Sequence, residues 1–271
     1  MSLRGPGILL MKLGSYNYAV TPDEFPFFYD REQWIKCLDF MAEQRFNFID
    51  LWNGHPFDYF VKFDRYTEAQ EGMPPGLVER NHAMLRWLID EAGRRNIRLI
   101  FEFYNIHTSV YFQRAHELPD ENNVPTPLLR DYTSYAVETF VREFPEIGYH
   151  ITAGEALDLE CTDTWVNDVI MPAMKRGGLR GPVWVRGWFT DLPHAKNIAA
   201  AHPEVSFERK FNVEMIADTR ANPENRDWAK LSGGYIVNIH MAANLCPFRW
   251  SPPDYIRRCV LSAIDTGATG L

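Results

Sequence analysis

The sequence lacks the features on which several common protein classes depend. Its four cysteines (Cys37, Cys161, Cys246 and Cys259) form no CxxC pair, which argues against a zinc site and favours buried free thiols. No apolar run reaches the ~18 residues of a membrane span, so no membrane association is predicted. The N-terminus has no continuous apolar core with a cleavage site, and no signal peptide is predicted. The opening Met-Ser-Leu resembles a cloning remnant, which leaves the cellular location open.

Positive charge and nucleotide-binding motifs are also scarce. The 271 residues contain 28 Lys and Arg against 36 Asp and Glu, for a net charge of −8. Since no basic stripe is present to neutralise phosphates, nucleic acid is not expected as a main partner. The motifs GxGxxG, GxxxxGK[ST] and GxSxG are absent from the chain. We therefore expect no cofactor and no metal.

Strand-like runs alternate with helix-like segments from one end of the chain to the other. The predicted strands are Ile8–Tyr18, Phe46–Asn53, Ile97–Asn105, Gly148–Ala153, Val183–Phe189, Val205–Phe211, Gly234–His240 and a last one from Gly267. The predicted helices are Arg31–Glu43 with Asp30 as N-cap, Val78–Arg95, Pro127–Phe144, Thr164–Lys175, Pro193–Ala201 and Pro253–Ile264. This order predicts an α/β fold, the (β/α)8 TIM barrel, for which ~250 residues are typical.

The barrel is predicted to be one domain covering residues 1–271. The chain reaches the first strand almost at once and stops in the eighth, without an eighth helix. We therefore expect either a domain excised from a longer chain or a barrel closed by something outside this sequence. An auxiliary domain that supplies part of the site fits either expectation.

Polar and aromatic residues gather where the predicted strands end. In a (β/α)8 barrel these ends meet at one face and build the active site. The leading candidate is Glu155, which follows Thr152-Ala153-Gly154 after strand four and is sterically open. Burial in a barrel mouth raises the pKa of a carboxyl group and suits it to act as a general acid. The competing interpretation is a helix-start glutamate stabilised by the helix dipole.

Strand six carries the second signal. Alternation places Ser206, Glu208, Lys210, Asn212 and Glu214 on one face, and apolar residues on the other. The apolar face must pack on helices, so the polar face is predicted to point into the barrel. We expect Glu208 to lie deeper, paired with Lys210 or Arg186, and Glu214 to lie near the mouth as a base or substrate ligand.

The remaining strand-end residues are predicted to bind a sugar. Aromatic rings suit stacking on sugar faces, amides and imidazoles suit hydroxyl groups, and Arg186 suits either an anionic substrate group or Glu208. The predicted binding residues are Tyr16, Asn17, Trp52, Asn53, His55, Tyr104, Asn105, His107, Arg186, Trp188, Lys210, Asn212, Asn238 and His240.

The whole chain resembles the catalytic barrel of α-glucuronidase-like glycoside hydrolases, family 67 and its relatives, and more distantly family 20. The resemblance rests on Arg4-Gly5, on residues 38–42 with Arg45-Phe46-Asn47, on Glu155, and on Glu208-Arg209-Lys210 with Asn212 and Glu214. It implies that Glu155 is the general acid and that Glu214 takes the base role. The family has a further carboxylate after strand seven, where this chain reads Ile236-Val-Asn-Ile-His240.

The predicted function is that of a glycoside hydrolase acting on an oligosaccharide or glycoside. Glu155 protonates the leaving oxygen, and Glu214 or Glu208 activates water or stabilises the oxocarbenium-like centre. A metal-dependent sugar isomerase, epimerase or hydrolase is the first alternative, with ligands drawn from Glu155, His107, His240 and Glu208. A non-catalytic carbohydrate-binding barrel is the second, favoured by the missing acid on strand seven.

Overall fold

The sheet is parallel throughout and curls into a barrel. A computed structural model describes residues 1–10, 19–104, 106–153, 155–212, 218–231, 233–239 and 252–271. Neighbouring strands pair in chain order. The strands are β1 (Gly7–Leu9), β2 (Phe48–Asn53), β3 (Arg98–Tyr104), β4 (Gly148–Thr152), β5 (Val183–Arg186), β6 (Ser206–Lys210) and β7 (Tyr235–Asn238). Each lies within its predicted range or, for β1, begins one residue before it.

Helices connect the strands as the sequence predicts. They are α1 (Arg31–Glu43), α2 (Phe57–Phe60), α3 (Leu77–Arg94), α4 (Val110–His116), α5 (Pro127–Glu143), α6 (Thr162–Trp165), α7 (Met171–Arg176), α8 (Leu192–Ala201), α9 (Asn225–Trp228) and α10 (Pro253–Asp265). The short helices α2 and α4 were not predicted and lie in the long connections after β2 and β3. Within the described ranges, no helix has the length and apolarity that crossing a membrane requires.

Local sequence explains where the longer helices begin. The predicted cap of α1 is present, since the carboxylate of Asp30 accepts a hydrogen bond from the backbone N–H of Gln33 at 3.0 Å. Asp191 caps α8 in the same way. The predicted fourth helix begins at Thr162 and includes a π-helical turn, Val166–Ile170, before α7. Pro172 lies just beyond this turn and cannot donate a backbone hydrogen bond, which accounts for the irregularity.

Residues at the end of the described chain complete the barrel. Gly270 pairs in parallel with Ile236 of β7 on one side and with Leu3, just before β1, on the other. The backbone N–H of Gly5 donates to Leu271 and that of Leu271 donates to Leu3. The residues from Thr269 to Leu271 therefore take the eighth strand position. The prediction of a (β/α)8 barrel is confirmed.

Strand alternation sorts the barrel into two chemical layers. The outward side chains of β2 to β7, such as Leu51, Phe101 and Val185, are buried against the helices in the main hydrophobic core. The inward side chains at the N-terminal end of the barrel form a small apolar plug. The plug consists of Phe48, Ile100, Trp184 and Ile236. Polar and charged side chains occupy the lumen above it.

A cavity lies at the plug end of the barrel. It has a volume of about 610 Å³ and is lined by Phe48, Ile100 and Trp184 among others. In this fold, residues at the N-terminal face contribute to stability, whereas chemistry takes place at the opposite face. We therefore assign no catalytic role to this cavity.

Gly233 and Gly178 provide a matched test of how tightly the strand connections pack. Both have left-handed backbones, with φ of 86° and 84°. A Cβ atom on Gly233 would lie 1.8 Å from the carbonyl oxygen of Val205, whereas one on Gly178 would meet nothing within 4 Å. Gly178→Ala should therefore lower the free energy of unfolding by about 1–2 kcal/mol, the cost of a left-handed backbone for a residue with a Cβ atom. Gly233→Ala should lower the free energy of unfolding by clearly more, as measured by urea denaturation. Equal losses would contradict the close approach.

Candidate active site

Five charged side chains point into the lumen from five neighbouring strands. We call them the lumen cluster: Asp50, Glu102, His150, Arg186 and Glu208. All are buried. They occupy alternate, inward positions on β2 to β6, so the polar layer follows directly from the two-residue period of the strands. Glu208 was predicted to point inward and to pair with Lys210 or Arg186, and Arg186 is the partner in this arrangement.

Hydrogen bonds and ion pairs link the members of the lumen cluster. His150 Nδ1 lies 2.8 Å from Asp50 Oδ2, and its Nε2 lies 3.8 Å from Glu208 Oε2. Arg186 Nη1 donates to Glu102 Oε1 at 3.1 Å, and Arg186 Nε lies 3.4 Å from Glu208 Oε2. Two cations thus stand among three carboxylates. Such a buried network is stable only while each charge keeps a partner.

The protonation states of the cluster support this pairing. Burial opposes the charge on His150, but the carboxylates of Glu102, Asp50 and Glu208 outweigh it and raise the pKa of His150 to about 9. Burial raises the pKa of Asp50 to about 6, against the opposing effect of His150. At neutral pH the imidazolium and the Asp50 carboxylate therefore form an ion pair.

Asp50, Glu102 and His150 are also the described side chains that come nearest to a metal-binding group. One ligand atom from each lies within 4.8 Å of the others. The guanidinium of Arg186, however, already bonds the Glu102 carboxylate. A positive charge at this position opposes a divalent cation, so these residues do not fit a metal centre. The ligand set predicted for a metal enzyme is different, and its member His240 lies outside the described residues.

Glu155 lies at the mouth, above the lumen cluster. It follows β4 by three residues, and its side chain is exposed. Its Oε1 accepts a hydrogen bond of 2.6 Å from Trp188 Nε1, in the segment that follows β5. Two neighbouring strands thus deliver a carboxylate and an indole donor to one point of the barrel mouth. An exposed, oriented carboxylate at this face has the geometry expected of a catalytic group.

Trp188 is held between Glu155 and the end of β6. Lys210 Nζ lies 3.2 Å from the centre of the Trp188 ring, a cation–π contact. One face of the indole is therefore covered by Lys210. Trp188 was predicted to stack on a sugar, which stays a prediction, and its contacts also suit it to orient Glu155.

Trp52 and Tyr104 form an aromatic pair at the top of the lumen. Their rings stack with centroids 5.5 Å apart and planes 7° apart. The guanidinium carbon of Arg186 lies 4.8 Å from the Trp52 ring centre, and Arg186 also bonds the Tyr104 hydroxyl at 3.2 Å. Both predicted stacking residues thus contact each other and the lumen cluster. Trp52 remains half-buried and Tyr104 is buried.

Several predicted sugar-binding residues make contacts within the protein. Asn53 is buried and donates to the carbonyl oxygen of Leu10 at 2.7 Å. His55 is buried, with its Nε2 2.9 Å from the hydroxyl of Tyr132. Asn212 donates to the carbonyl oxygen of Asp218 at 2.7 Å. These contacts suit the three residues to hold loops. Asn238 is half-buried at the end of β7.

His107 lies close both to Glu155 at the mouth and to the buried His55. It is buried next to Glu155, and burial lowers its pKa to about 4, so the imidazole is neutral. The preceding residue, Ile106, has a left-handed φ of 60°, which is a genuine outlier for a β-branched side chain. Such strain is often found at functional sites. His107 is therefore buried close to Glu155, and its role in binding a sugar stays a prediction.

The remaining predicted site residues lie outside the described part of the chain: Tyr16, Asn17, Asn105, Glu214 and His240. The structure therefore describes Glu155 and Glu208 among the three predicted catalytic carboxylates. It places Glu155 at the mouth and Glu208 deep in the lumen, 3% exposed. The two carboxylates therefore lie at different depths in the barrel.

Sequence reasoning missed Asp50, Glu102, His150 and Asp58. The first three are single polar residues within the apolar runs of β2, β3 and β4. A charged residue at an inward position of a parallel strand was the available signal, because it cannot be buried without a partner. Asp58 stands in an aromatic segment, where nothing in the local pattern indicates its burial.

Similarity to known proteins is found among solved structures. No protein-family model and no curated protein matches the chain. Among solved structures, a GH138 enzyme targeting pectin rhamnogalacturonan II is similar over 100% of this chain, with 35% identity and a TM-score of 0.91. The chain spans 34% of that enzyme's length.

More distant structures share the fold. An exo-β-1,4-mannosidase from an Opitutaceae bacterium has 13% identity and a TM-score of 0.63, over 100% of this chain and 51% of its own. A GH20 β-N-acetylhexosaminidase from Streptomyces coelicolor has 13% identity and a TM-score of 0.56, over 92% and 52%. The chain thus has the barrel fold of glycoside hydrolases. The similarity supports this class in general and not family 67 in particular.

The buried carboxyl group of Asp58 predicts that the stability of the fold depends on pH. Asp58 is fully buried, and burial raises its pKa to about 8, against the smaller opposing effect of the nearby Ser109 and Tyr132 side chains. The folded protein therefore keeps the Asp58 proton at pH values where the unfolded chain has lost it. Stability should fall as pH rises towards 8. Asp58→Asn, which cannot ionise, should lose less free energy of unfolding than wild type between pH 6 and 9.

Urea denaturation at several pH values measures this difference. Any loss that arises from His150, whose pKa is also raised, is common to both proteins and cancels in the comparison. Asp254→Asn is the matched control, because the Asp254 side chain is 90% exposed. Parallel losses in wild type and Asp58→Asn would show that Asp58 is ionised in the folded state.

Proposed function

We propose that this chain is the catalytic barrel of a glycoside hydrolase whose substrate is a polysaccharide containing uronic acids, such as pectin. Glu155 acts as the general acid. The observation that carries the proposal is its position: an exposed carboxylate at the C-terminal end of β4, oriented by a 2.6 Å hydrogen bond from Trp188. Protonation of the leaving oxygen by a carboxylic acid is the common step of most glycosidases.

The comparisons support the substrate class. The GH138 enzyme, 35% identical over the whole of this chain, targets pectin rhamnogalacturonan II. The α-glucuronidase resemblance of the sequence also points to an acidic sugar. The ammonium group of Lys210, in contact with Trp188 beside Glu155, adds positive charge near the place where such a substrate would bind.

A second carboxylate is needed to activate water or to form a covalent intermediate. Glu208 is poorly suited, since it is buried and lies 3.4 Å from Arg186 in the lumen cluster. We therefore assign this role to Glu214, which follows the last residue of β6 by four positions in the sequence. The lumen cluster then has a structural role. It holds in place the strand ends that carry Trp52, Tyr104 and Trp188.

The test is hydrolysis of rhamnogalacturonan II by wild type, Glu155→Gln and a control, Glu160→Gln. Glu160 is exposed in the turn that follows Glu155 and has no role in the proposed chemistry. Loss of general acid catalysis should reduce the rate of sugar release about 100-fold or more. The melting temperature should not change, because the Glu155 side chain is exposed. Released sugars are measured by anion-exchange chromatography.

Two outcomes would contradict the proposal. Full activity of Glu155→Gln would remove Glu155 from the acid role. Tight binding of pectic oligosaccharides by wild type without any release of sugar would favour a carbohydrate-binding barrel over a hydrolase.

A further inference from the structure

Phe189 is a large aromatic residue in an unfavourable backbone conformation. It follows Trp188 beyond β5, its φ is 56°, and its side chain is 53% exposed. A left-handed backbone is costly for a residue with a Cβ atom, and glycine would avoid the cost. An exposed ring does not recover it through burial. The combination of strain and exposure points to a role in binding and not in packing.

The surrounding segment holds this conformation in place. The backbone N–H of Gly187 donates to the carbonyl oxygen of Glu208 at 2.6 Å. Thr190 is buried, and the Asp191 side chain caps α8 through the backbone N–H of His194 at 3.0 Å. Phe189 is therefore the exposed residue of a segment fixed on both sides. Its exposure is a property of the fold.

Phe189 also packs against Trp188, the residue that donates a hydrogen bond to the proposed acid. Its ring meets Trp188 edge-on, with centroids 5.2 Å apart and planes at 83°. Trp188 in turn donates to Glu155 and carries Lys210 against its ring. The ring of Phe189 is thus the exposed aromatic surface on this wall of the mouth. Phe40, an exposed ring on the outer helix α1, does not have a left-handed backbone.

We propose that Phe189 is the stacking platform for a sugar ring bound beside Glu155. The apolar C–H face of a pyranose would lie on the ring of Phe189, while Glu155 addresses the glycosidic oxygen. This inference rests on the proposed function for the identity of the substrate. It adds a specificity-determining residue to the binding residues predicted from the sequence.

Two substitutions separate stacking from structural support. Phe189→Gly removes the ring and relieves the left-handed strain, whereas Phe189→Trp keeps an aromatic platform. The control is Arg45→Gly, because Arg45 is exposed, has a φ of 60° and lies in the turn before β2 at the far end of the barrel. Binding of oligosaccharides from rhamnogalacturonan II is measured by calorimetry, with melting temperature and KM for sugar release.

Phe189→Gly should bind about tenfold more weakly and show a raised KM, the loss expected for one stacking contact. Its melting temperature should be no lower than that of wild type, as for Arg45→Gly. Phe189→Trp should restore binding. A lower melting temperature with unchanged binding would show a packing role and overturn the inference.

The same data distinguish this inference from the proposed function. Binding that depends on Phe189, without release of sugar, would retain the platform and reject the hydrolase. Sugar release with a KM that is unchanged in Phe189→Gly would retain the hydrolase and reject the platform. Absence of both binding and release would reject both.

Discussion

The burial of five charged groups inside the barrel is the constraint on which the rest of the site depends. Asp50, Glu102, His150, Arg186 and Glu208 can leave water only as a connected set, because each would be costly to bury alone. Their bonds cross from β2 to β6 and so tie together the strands whose ends form the mouth. The aromatic residues above them are positioned by this layer, as the contacts of Arg186 with Trp52 and Tyr104 show.

The barrel is organised along its axis in a way that separates stability from chemistry. At the N-terminal end, Phe48 and Trp184 pack edge-on with centroids 4.9 Å apart. The charged layer lies in the middle, and the exposed groups of the candidate site lie at the C-terminal end. Glu155 stands there in contact with Trp188, next to the strained and exposed Phe189. The mouth therefore holds the residues that can reach a substrate, while the layers below it hold the frame.

Much of the fold could be predicted from the sequence because local patterns and global packing agree. The helix over Arg31–Glu43 combines an Asp30 cap with an apolar face, and it forms as predicted. The alternation of strand six correctly placed Glu208 inside. The contacts of the site were less predictable, because they join residues far apart in the chain. Asn53 and His55 have side chains suited to sugars, yet tertiary hydrogen bonds use them to hold loops. The binding role proposed for Phe189 is inferred from backbone strain, which no residue pattern reveals.

The most direct test of the account is a crystal structure of the Glu155→Gln variant with an oligosaccharide from rhamnogalacturonan II. The account predicts that the sugar occupies the barrel mouth and that the glycosidic oxygen lies within hydrogen-bond distance of the side chain at position 155. A sugar bound at the opposite end of the barrel, or one whose glycosidic bonds all lie away from that side chain, would contradict it.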